Sequence, residues 1–368
     1  MGNAGRTIAL YAGLAAVALV LEFALPAVVH DSSVRQLVML AAVNVLVALS
    51  LNVVNGLAGQ FSIGHAGFVG LGAYTSAVLV ANLHEAWGGE PTFARSFVVV
   101  PLAVVAGALV AGVFGFLVGL PSLRLRGDYL AIVTLGFAEI FRLLVATASA
   151  DGTGLLARLG GQNGYAGPRD LGIPPYAGPF WVFGAVFVVT IATWRMKFSG
   201  WGRALRALRE DEIAAASVGV DPTRYKLQSF VLSSMGGGVA GALLAVMKDG
   251  SPITQPDQFT FQASFDAITM VILGGSGSIS GSILGALFVT FTIKLIELLQ
   301  ASDTVQALRQ SHEWLDLNAL RMVVYAATLI AVMILRPEGV FGEREIFGGR
   351  RRTLPTPEKS SPASQGAA

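Results

Sequence analysis

The sequence predicts an all-α polytopic membrane protein of about ten transmembrane helices with both termini cytoplasmic. Three observations predict it. Of 368 residues, 54% are hydrophobic and only 13% charged, with mean hydropathy +0.65, whereas a soluble domain carries about a quarter of its residues as charges. Apolar runs recur along the whole length, at 8–29, 34–54, 97–120, 129–147, 180–194, 227–247 and 321–335, and several reach the roughly 20 residues that cross a hydrocarbon core as a helix. The basic residues, finally, are distributed unevenly between the segments that link these runs.

Taken in order, ten spans fit the pattern: about 8–29, 34–55, 62–82, 97–120, 129–147, 179–196, 227–247, 262–274, 279–300 and 319–335. The first is longer than the roughly 7–15 apolar residues of a secretory signal and lacks a clean small-x-small cleavage site, so it reads as a retained helix. The third is unusually rich in glycine, and the eighth is short. With a cytoplasmic N-terminus and an even number of spans, the inner segments carry 16 of the 25 basic residues and the outer segments 6, the other 3 lying within or at the ends of spans. The same rule settles the short eighth span. Both the 195–226 loop and the chain after Arg336 are basic, so an even number of crossings separates them, and "FQASFDAITMVILGG" must cross too.

These spans make a transmembrane domain over 1–347 with a polar inner loop at about 195–226 and a Gly/Pro-rich external loop at about 148–178. Residues 348–368, "GGRRRTLPTPEKSSPASQGAA", follow a basic cluster with a Pro/Ser/Ala-rich tail and read as a disordered cytoplasmic extension. Arg350–Arg352 would anchor the topology beside membrane lipid. The chain has no cysteine, which excludes disulfides, thiolate metal sites and cysteine nucleophiles. No Gly-x-x-x-x-Gly-Lys-Ser/Thr loop occurs, so no phosphate cradle for ATP is predicted.

Small residues let helices approach closely in lipid, where apolar contact between helices gains little. Gly107, Ala111, Gly115 and Gly119 form one four-residue ladder, and Gly277, Gly281 and Gly285 another; both read as packing faces. The stretch "GLAGQFSIGHAGFVGLGAYTSAVL", residues 56–79, differs because polar side chains interrupt its glycines. Gly56 and Gly59 bracket a predicted helix break, and broken backbone at membrane depth is tolerated where protein buries it or where it lines a watery cavity. Gln60, Ser62, His65 and Gly67 are therefore candidate residues of a pathway for a polar solute. The alternative is that Gln60 and His65 only satisfy freed backbone groups. A metal role for His65 is disfavoured, since only four histidines exist and no ligand spacing connects them.

The 195–226 segment reads as two helices joined by a turn. Arg206 and Glu210 form an i,i+4 pair, Gly219 supplies a stop, and Asp221 followed by Pro222 starts the next helix. A short inner helix flanked by Arg209, Glu210, Asp211 and Glu212, with Ala214 and Ala215 at its centre, suits a docking element; the alternative is a solvated loop that fixes topology. Charges inside the spans also need an account. Glu139 and Arg142 can pair on one helical face, Asp266 begins the eighth span, and Lys294 and Glu297 lie near the end of the ninth. Most sit near span ends, which favours snorkelling and one structural pair over a proton relay; Glu139 is the exception.

The stretch at 56–79 closely resembles one found in permease subunits of branched-chain amino acid ATP-binding-cassette importers. "LRLRGDYLAIVTLGFAEIFRLL" (123–144) resembles the longer of that importer's two permease types. "GWGRALRALREDEIAAASVGVDPTRYKLQSFVLSS", "VILGGSGSISGSILGALF" and "LRPEGVFG" resemble the family as well, so the likeness spans roughly 35–345 in five blocks. It implies a transport subunit of the bacterial inner membrane without catalytic residues, cofactor or nucleic-acid partner. Its implied partners are a second, homologous permease, two ATPase subunits and an external solute-binding protein. In that family the inner loop carries Glu-Ala-Ala, three residues, then Gly; here Ile213, Ala214, Ala215 and Gly219 match, with Ile213 in place of the glutamate and Glu212 one position earlier. The implied solutes are leucine, isoleucine and valine. A urea or amide importer permease is the alternative within the class, and an ion-coupled secondary transporter the alternative outside it.

Overall fold

In this computed structural model the described residues are 3–123, 129–148, 159–168 and 171–301, with single positions at 327, 330, 334, 339, 340, 342 and 345. Eleven α-helices occur among them: α1 (Asn3–Val28), α2 (Ser32–Asn52), α3 (His65–Trp87), α4 (Phe93–Ser122), α5 (Tyr129–Ala146), α6 (Pro179–Phe198), α7 (Gly200–Glu210), α8 (Glu212–Ser217), α9 (Pro222–Val246), α10 (Phe261–Gly274) and α11 (Ile279–Ala301). The helix starts follow capping chemistry. Asp31 accepts from the Ser33 N–H at the start of α2, and Asp221 accepts from the Arg224 N–H at the start of α9. Pro179 and Pro222 occupy first turns, where a missing N–H leaves no bond unmade.

Seven segments are long and apolar enough to cross a membrane: Ser32–Leu57, His65–Trp87, Phe93–Ser122, Tyr129–Ala146, Pro179–Phe198, Pro222–Val246 and Ile279–Leu298. Gly13–Val28 and Phe261–Gly274 are shorter apolar helices. The tenth expected span, 319–335, and the tail 348–368 lie outside the described residues, apart from single positions in the former. Large apolar side chains such as Leu102, Leu109, Phe116, Ile132 and Ile140 face outward on α4 and α5, an arrangement suited to a hydrocarbon solvent and not to water.

At the centre, α3, α4 and α9 touch backbone to backbone. A Cβ on Gly72 would lie 2.2 Å from the Gly238 carbonyl oxygen, and one on Gly238 would lie 2.6 Å from that of Gly107. The predicted α4 ladder is thus a packing face, continued by Gly115 against Ser234. On the second ladder, Gly281 and Gly285 of α11 approach the carbonyl oxygens of Gly274 and Met270 in α10. Ser76 Oγ donates to the Ala242 carbonyl oxygen (3.0 Å), pinning α3 to α9 from within the core.

The helices run between two ends with distinct chemistry. One end gathers the 58–64 break, α7 and α8, the 275–278 turn and Glu345, together with the basic residues expected inside, from Arg195 to Lys226. The opposite end gathers Arg35–Asp249 (2.9 Å), Lys248–Glu22 (2.7 Å) and the bond from the Phe261 N–H to Glu139. The short α10 connects these ends, from Phe261 beside Glu139 to Gly275 beside the break, over about 20 Å at 1.5 Å per residue.

The described residues of the segment expected as an external loop, 159–168 and 171–178, fold onto the second end. Tyr165 exchanges both backbone hydrogen bonds with Thr254 (2.9 and 3.1 Å), and the Ala177 N–H donates to the Val246 carbonyl oxygen at 2.8 Å. Tyr165, Ile173 and Tyr176 are buried there, and His84 Nδ1 lies 2.9 Å from the Tyr176 hydroxyl. Burial beside Glu85 raises the Tyr165 pKa above its ordinary value. Among the described large apolar residues of this segment, Leu171 alone projects outward.

Candidate functional site

The helix that ends at the glycine stretch first widens. After α2 the chain makes a π-helical turn over Val53–Leu57, then leaves helical geometry through Gly59 at φ +67° and resumes at His65. A π-turn inserts a residue into the ladder and often marks a functional position. Two asparagines on the last turns hold the distortion. Asn52 Oδ1 accepts from the Gly277 N–H (2.8 Å) while its Nδ2 donates to the Ser278 carbonyl oxygen (3.2 Å). Asn55 Oδ1 accepts from the Ser62 N–H (3.2 Å), and its Nδ2 donates to the Ser62 carbonyl oxygen (3.4 Å). The orphan N–H groups at the start of α3 find side chains elsewhere: Ile63 donates to Thr134 Oγ1 (3.2 Å) and Ala66 to Ser264 Oγ (3.1 Å).

The four candidate residues differ in position, Gln60 and Ser62 lying in the break and His65 and Gly67 in the first turn of α3. His65 is buried, with Nε2 2.8 Å from Ser50 Oγ and its ring against Gly237 of α9, which makes it a tie between α2, α3 and α9. Gly67 lets α3 approach α5, where a Cβ would stand 2.8 Å from Ala138 Cα. Ser62 is buried and held through its backbone by Asn55. Gln60 is also buried, and both Nε2 and Oε1 lack a hydrogen-bond partner. An unsatisfied buried polar group costs about 1–3 kcal/mol, so its retention calls for a purpose. Among the described residues, Tyr74 and Thr190 are the only others with a buried side-chain oxygen in this state.

The inner loop forms α7 and α8, with Asp211 between them. Asp211 accepts from the Ile213 and Ala214 N–H groups (both 2.9 Å) as the N-cap of α8. Gly219 ends α8 at φ +91°, a conformation that strains any residue with a Cβ. Glu212 pairs with Lys226 of α9. Ala215 is buried, with its carbonyl oxygen accepting from the Val220 N–H, whereas Ala214 is exposed beside Ile213 and Val218, at 84% and 78% exposure. The outward face of α8 is therefore apolar at its two ends. The expected Arg206–Glu210 bridge is replaced: Arg206 donates to the carbonyl oxygens of Gly202, one turn back in α7, and of Lys197 in the last turn of α6 (3.4 Å each).

Arg209 joins the two regions. Its guanidinium donates to the Gly56 carbonyl oxygen (2.8 Å), a group freed by the π-turn. Its stem lies on Gly59, where a Cβ would come within 2.6 Å of Arg209 Cγ, and its Nη1 would meet a Cβ on Gly277 at 3.3 Å. Leu205 of α7 packs with Leu57 and Ala58 beside Trp201 and Tyr225. A movement of α7 thus bears directly on the break and, through Asn52, on the α10–α11 turn. Of the coupling candidates, Arg209 turns inward, Asp211 caps, and Glu210 and Ala214 remain on the exposed side. Asn52 and Asn55 were missed by sequence reasoning; their signal is a pair of amides three apart immediately before Gly56.

The intramembrane charge flagged at Glu139 is accounted for. Its Oε2 accepts from Arg142 Nε (2.9 Å) and its Oε1 from the Phe261 N–H (3.0 Å), so it caps α10 while pairing along α5. Among the described residues, no group of three His, Cys, Asp or Glu could hold a metal ion.

Comparison with known proteins bears on this arrangement. The family model described as branched-chain amino acid transport system / permease component matches residues 33–333. The high-affinity branched-chain amino acid transport system permease protein LivM of Salmonella typhimurium is 33% identical over 344 residues, which cover 88% of this chain and 73% of that protein. LivH of the same transport system in Salmonella typhimurium is 25% identical over 332 residues, covering 84% and 94%. The ribose import permease protein RbsC of Haemophilus influenzae is 26% identical over 225 residues, covering 58% and 65%. No solved structure matches the chain.

Proposed function

We propose, from the premise that this chain belongs to the family of branched-chain amino acid transport permease components, that it is a translocating subunit of an ATP-driven importer for leucine, isoleucine and valine. The observation that carries this is the Arg209 contact. A chain without a phosphate-binding loop must receive its energy through a partner, and Arg209 ties the exposed α7–α8 element to a buried break in a membrane-spanning helix. Of two ATPase subunits, one would seat on the exposed apolar face of α8, with Ile213 and Val218 as anchors, and the other on the second permease. The second permease is a chain related to this one, as the pair of names LivM and LivH indicates, and an external solute-binding protein would deliver the solute to the opposite end. The setting is the bacterial inner membrane, with ten spans and both termini cytoplasmic.

Reconstitution with these partners in proteoliposomes tests the reading. Leucine uptake is expected to require ATP inside an importer oriented with its binding protein outside, to be competed by isoleucine and valine, and to be insensitive to excess urea. Competition by urea alone would move the assignment to an amide importer; uptake without ATP that an ionophore collapses would make the chain an ion-coupled carrier.

Sidedness is tested separately, and the absence of native cysteine makes the experiment clean. A cysteine in place of the exposed Leu171 is expected to react with an impermeant thiol reagent in intact cells, and one in place of the exposed Ala214 only after the membrane is opened. Labelling of the Ala214 position in intact cells would reverse the topology.

A further inference from the structure

We propose that Tyr74, Arg142 and Asp257 form a reception site for the ammonium and carboxylate groups of the solute, at the end of the α3–α5 seam remote from the glycine break. The inference rests on the importer reading above and goes beyond it by naming where a zwitterion first meets the membrane domain. A free amino acid carries both charges on one carbon, so a site for it needs a cation and an anion a few ångströms apart with a way in from water.

Arg142 and Asp257 supply that pair. Arg142 Nε is held by Glu139 at 2.9 Å, but its Nη1 stands 3.8 Å from Asp257 Oδ1, beyond hydrogen-bond distance. The Arg142 side chain is 22% exposed and that of Asp257 65%, so the pair opens to solvent on the Asp257 side. A solute carboxylate can replace Asp257 on Nη1 while Asp257 accepts the ammonium. Charge stays balanced at each stage, and Glu139 keeps its cap on α10 throughout.

Tyr74 is the independent observation. Its ring lies between Phe141 (6.1 Å) and Phe259 (6.2 Å), the latter two residues from Asp257, and its hydroxyl is buried with no partner. A hydroxyl in that state is a donor left for something that arrives. The two phenyl rings close over Gly70, one turn before Tyr74, where a Cβ would come within 2.6 Å of Phe141 and 3.0 Å of Phe259. Phe141, which is partly exposed, offers an apolar surface to a branched side chain once its charged groups are engaged, with the buried Phe259 packed behind it.

The test is Tyr74→Phe, which removes only the hydroxyl. Uptake of radiolabelled leucine is measured in the assembled transporter in proteoliposomes, with the leucine-loaded binding protein as the varied species and ATP saturating. The expected result is an apparent KM raised about tenfold, as for loss of one hydrogen bond to a charged group, with kcat changed far less. Asp257→Asn is expected to raise KM in the same direction. Thermal unfolding supplies the second readout: loss of an unpartnered buried hydroxyl leaves the melting temperature unchanged or higher. An unchanged KM in both variants overturns the site, whatever kcat does, and so does a lowered melting temperature in Tyr74→Phe, which would make the hydroxyl structural. A wild-type transporter that imports no leucine removes the premise; one that imports leucine normally beside unaffected variants sinks the site alone.

Discussion

Replacing Arg209 by alanine is expected to leave the transporter assembled and hydrolysing ATP while leucine uptake falls at least about tenfold. The guanidinium faces inward, onto the Gly56 carbonyl oxygen and the Gly59 and Gly277 backbones, so its loss does not touch the outer face of α8. What is lost is the link by which a displaced α7 pulls on the break. A hydrogen bond from a charged group contributes about 1.5–3 kcal/mol, and coupling energies of 1–3 kcal/mol correspond to roughly 5–150-fold in function. Arg209→Lys should recover little, because an ammonium provides neither the planar donor at Gly56 nor the cover over Gly59. Ile213→Asp should fail differently, with loss of ATPase association itself, since that side chain is outward and apolar. Normal uptake by Arg209→Ala, or loss of assembly on its substitution, would place coupling elsewhere.

That division of labour was only partly legible in the sequence. The apolar runs mark the helices because a span must satisfy every backbone group internally, and α2 to α6, α9 and α11 lie where the expected spans place them. Gly219 and the Asp221–Pro222 pair announce their turn chemistry locally, and the structure follows it. The break at Gly56 and Gly59 was readable too, for the same reason. Arg209 was not: a charge in a polar loop reads as facing water, and its partner lies 153 residues away in the chain. Ala215 illustrates the same limit, since three consecutive alanines do not say which one a six-residue helix buries. The segment at 148–178 reads as a loose loop because its glycines and prolines give no periodicity; its described residues Tyr165, Ile173 and Ala177 are held by backbone bonds to Thr254, Pro252 and Val246, which no local pattern encodes. Glu139 reads as an anomaly until α10 is seen to need a cap.

The largest effect on stability is expected from Glu345→Gln. Glu345 is buried against Lys197 at the end of α6, and it also accepts from the Ile279 N–H (2.8 Å), the Ser280 N–H (2.9 Å) and Ser280 Oγ (2.6 Å) at the start of α11. Neutralising it leaves the Lys197 ammonium, 5% exposed, without a counter-charge, and breaking one side of a buried pair costs about 3–5 kcal/mol. Burial acts to raise the Glu345 pKa, but Lys197, the Ser280 hydroxyl and the two backbone N–H groups outweigh it and hold the carboxyl below its ordinary value. A carboxyl lowered in the folded state contributes fully above its unfolded pKa, and the contribution fades as pH falls through the lowered folded value. Thermal unfolding of the purified protein in detergent should therefore show the variant well below wild type near neutrality, with the gap narrowing as the pH drops below the ordinary carboxyl range. Adding Lys197→Met should restore much of the loss, because an apolar pair replaces a lone charge. A gap that stays constant with pH, or a double variant no better than Glu345→Gln, would show that this carboxylate holds α11 by shape and not by charge.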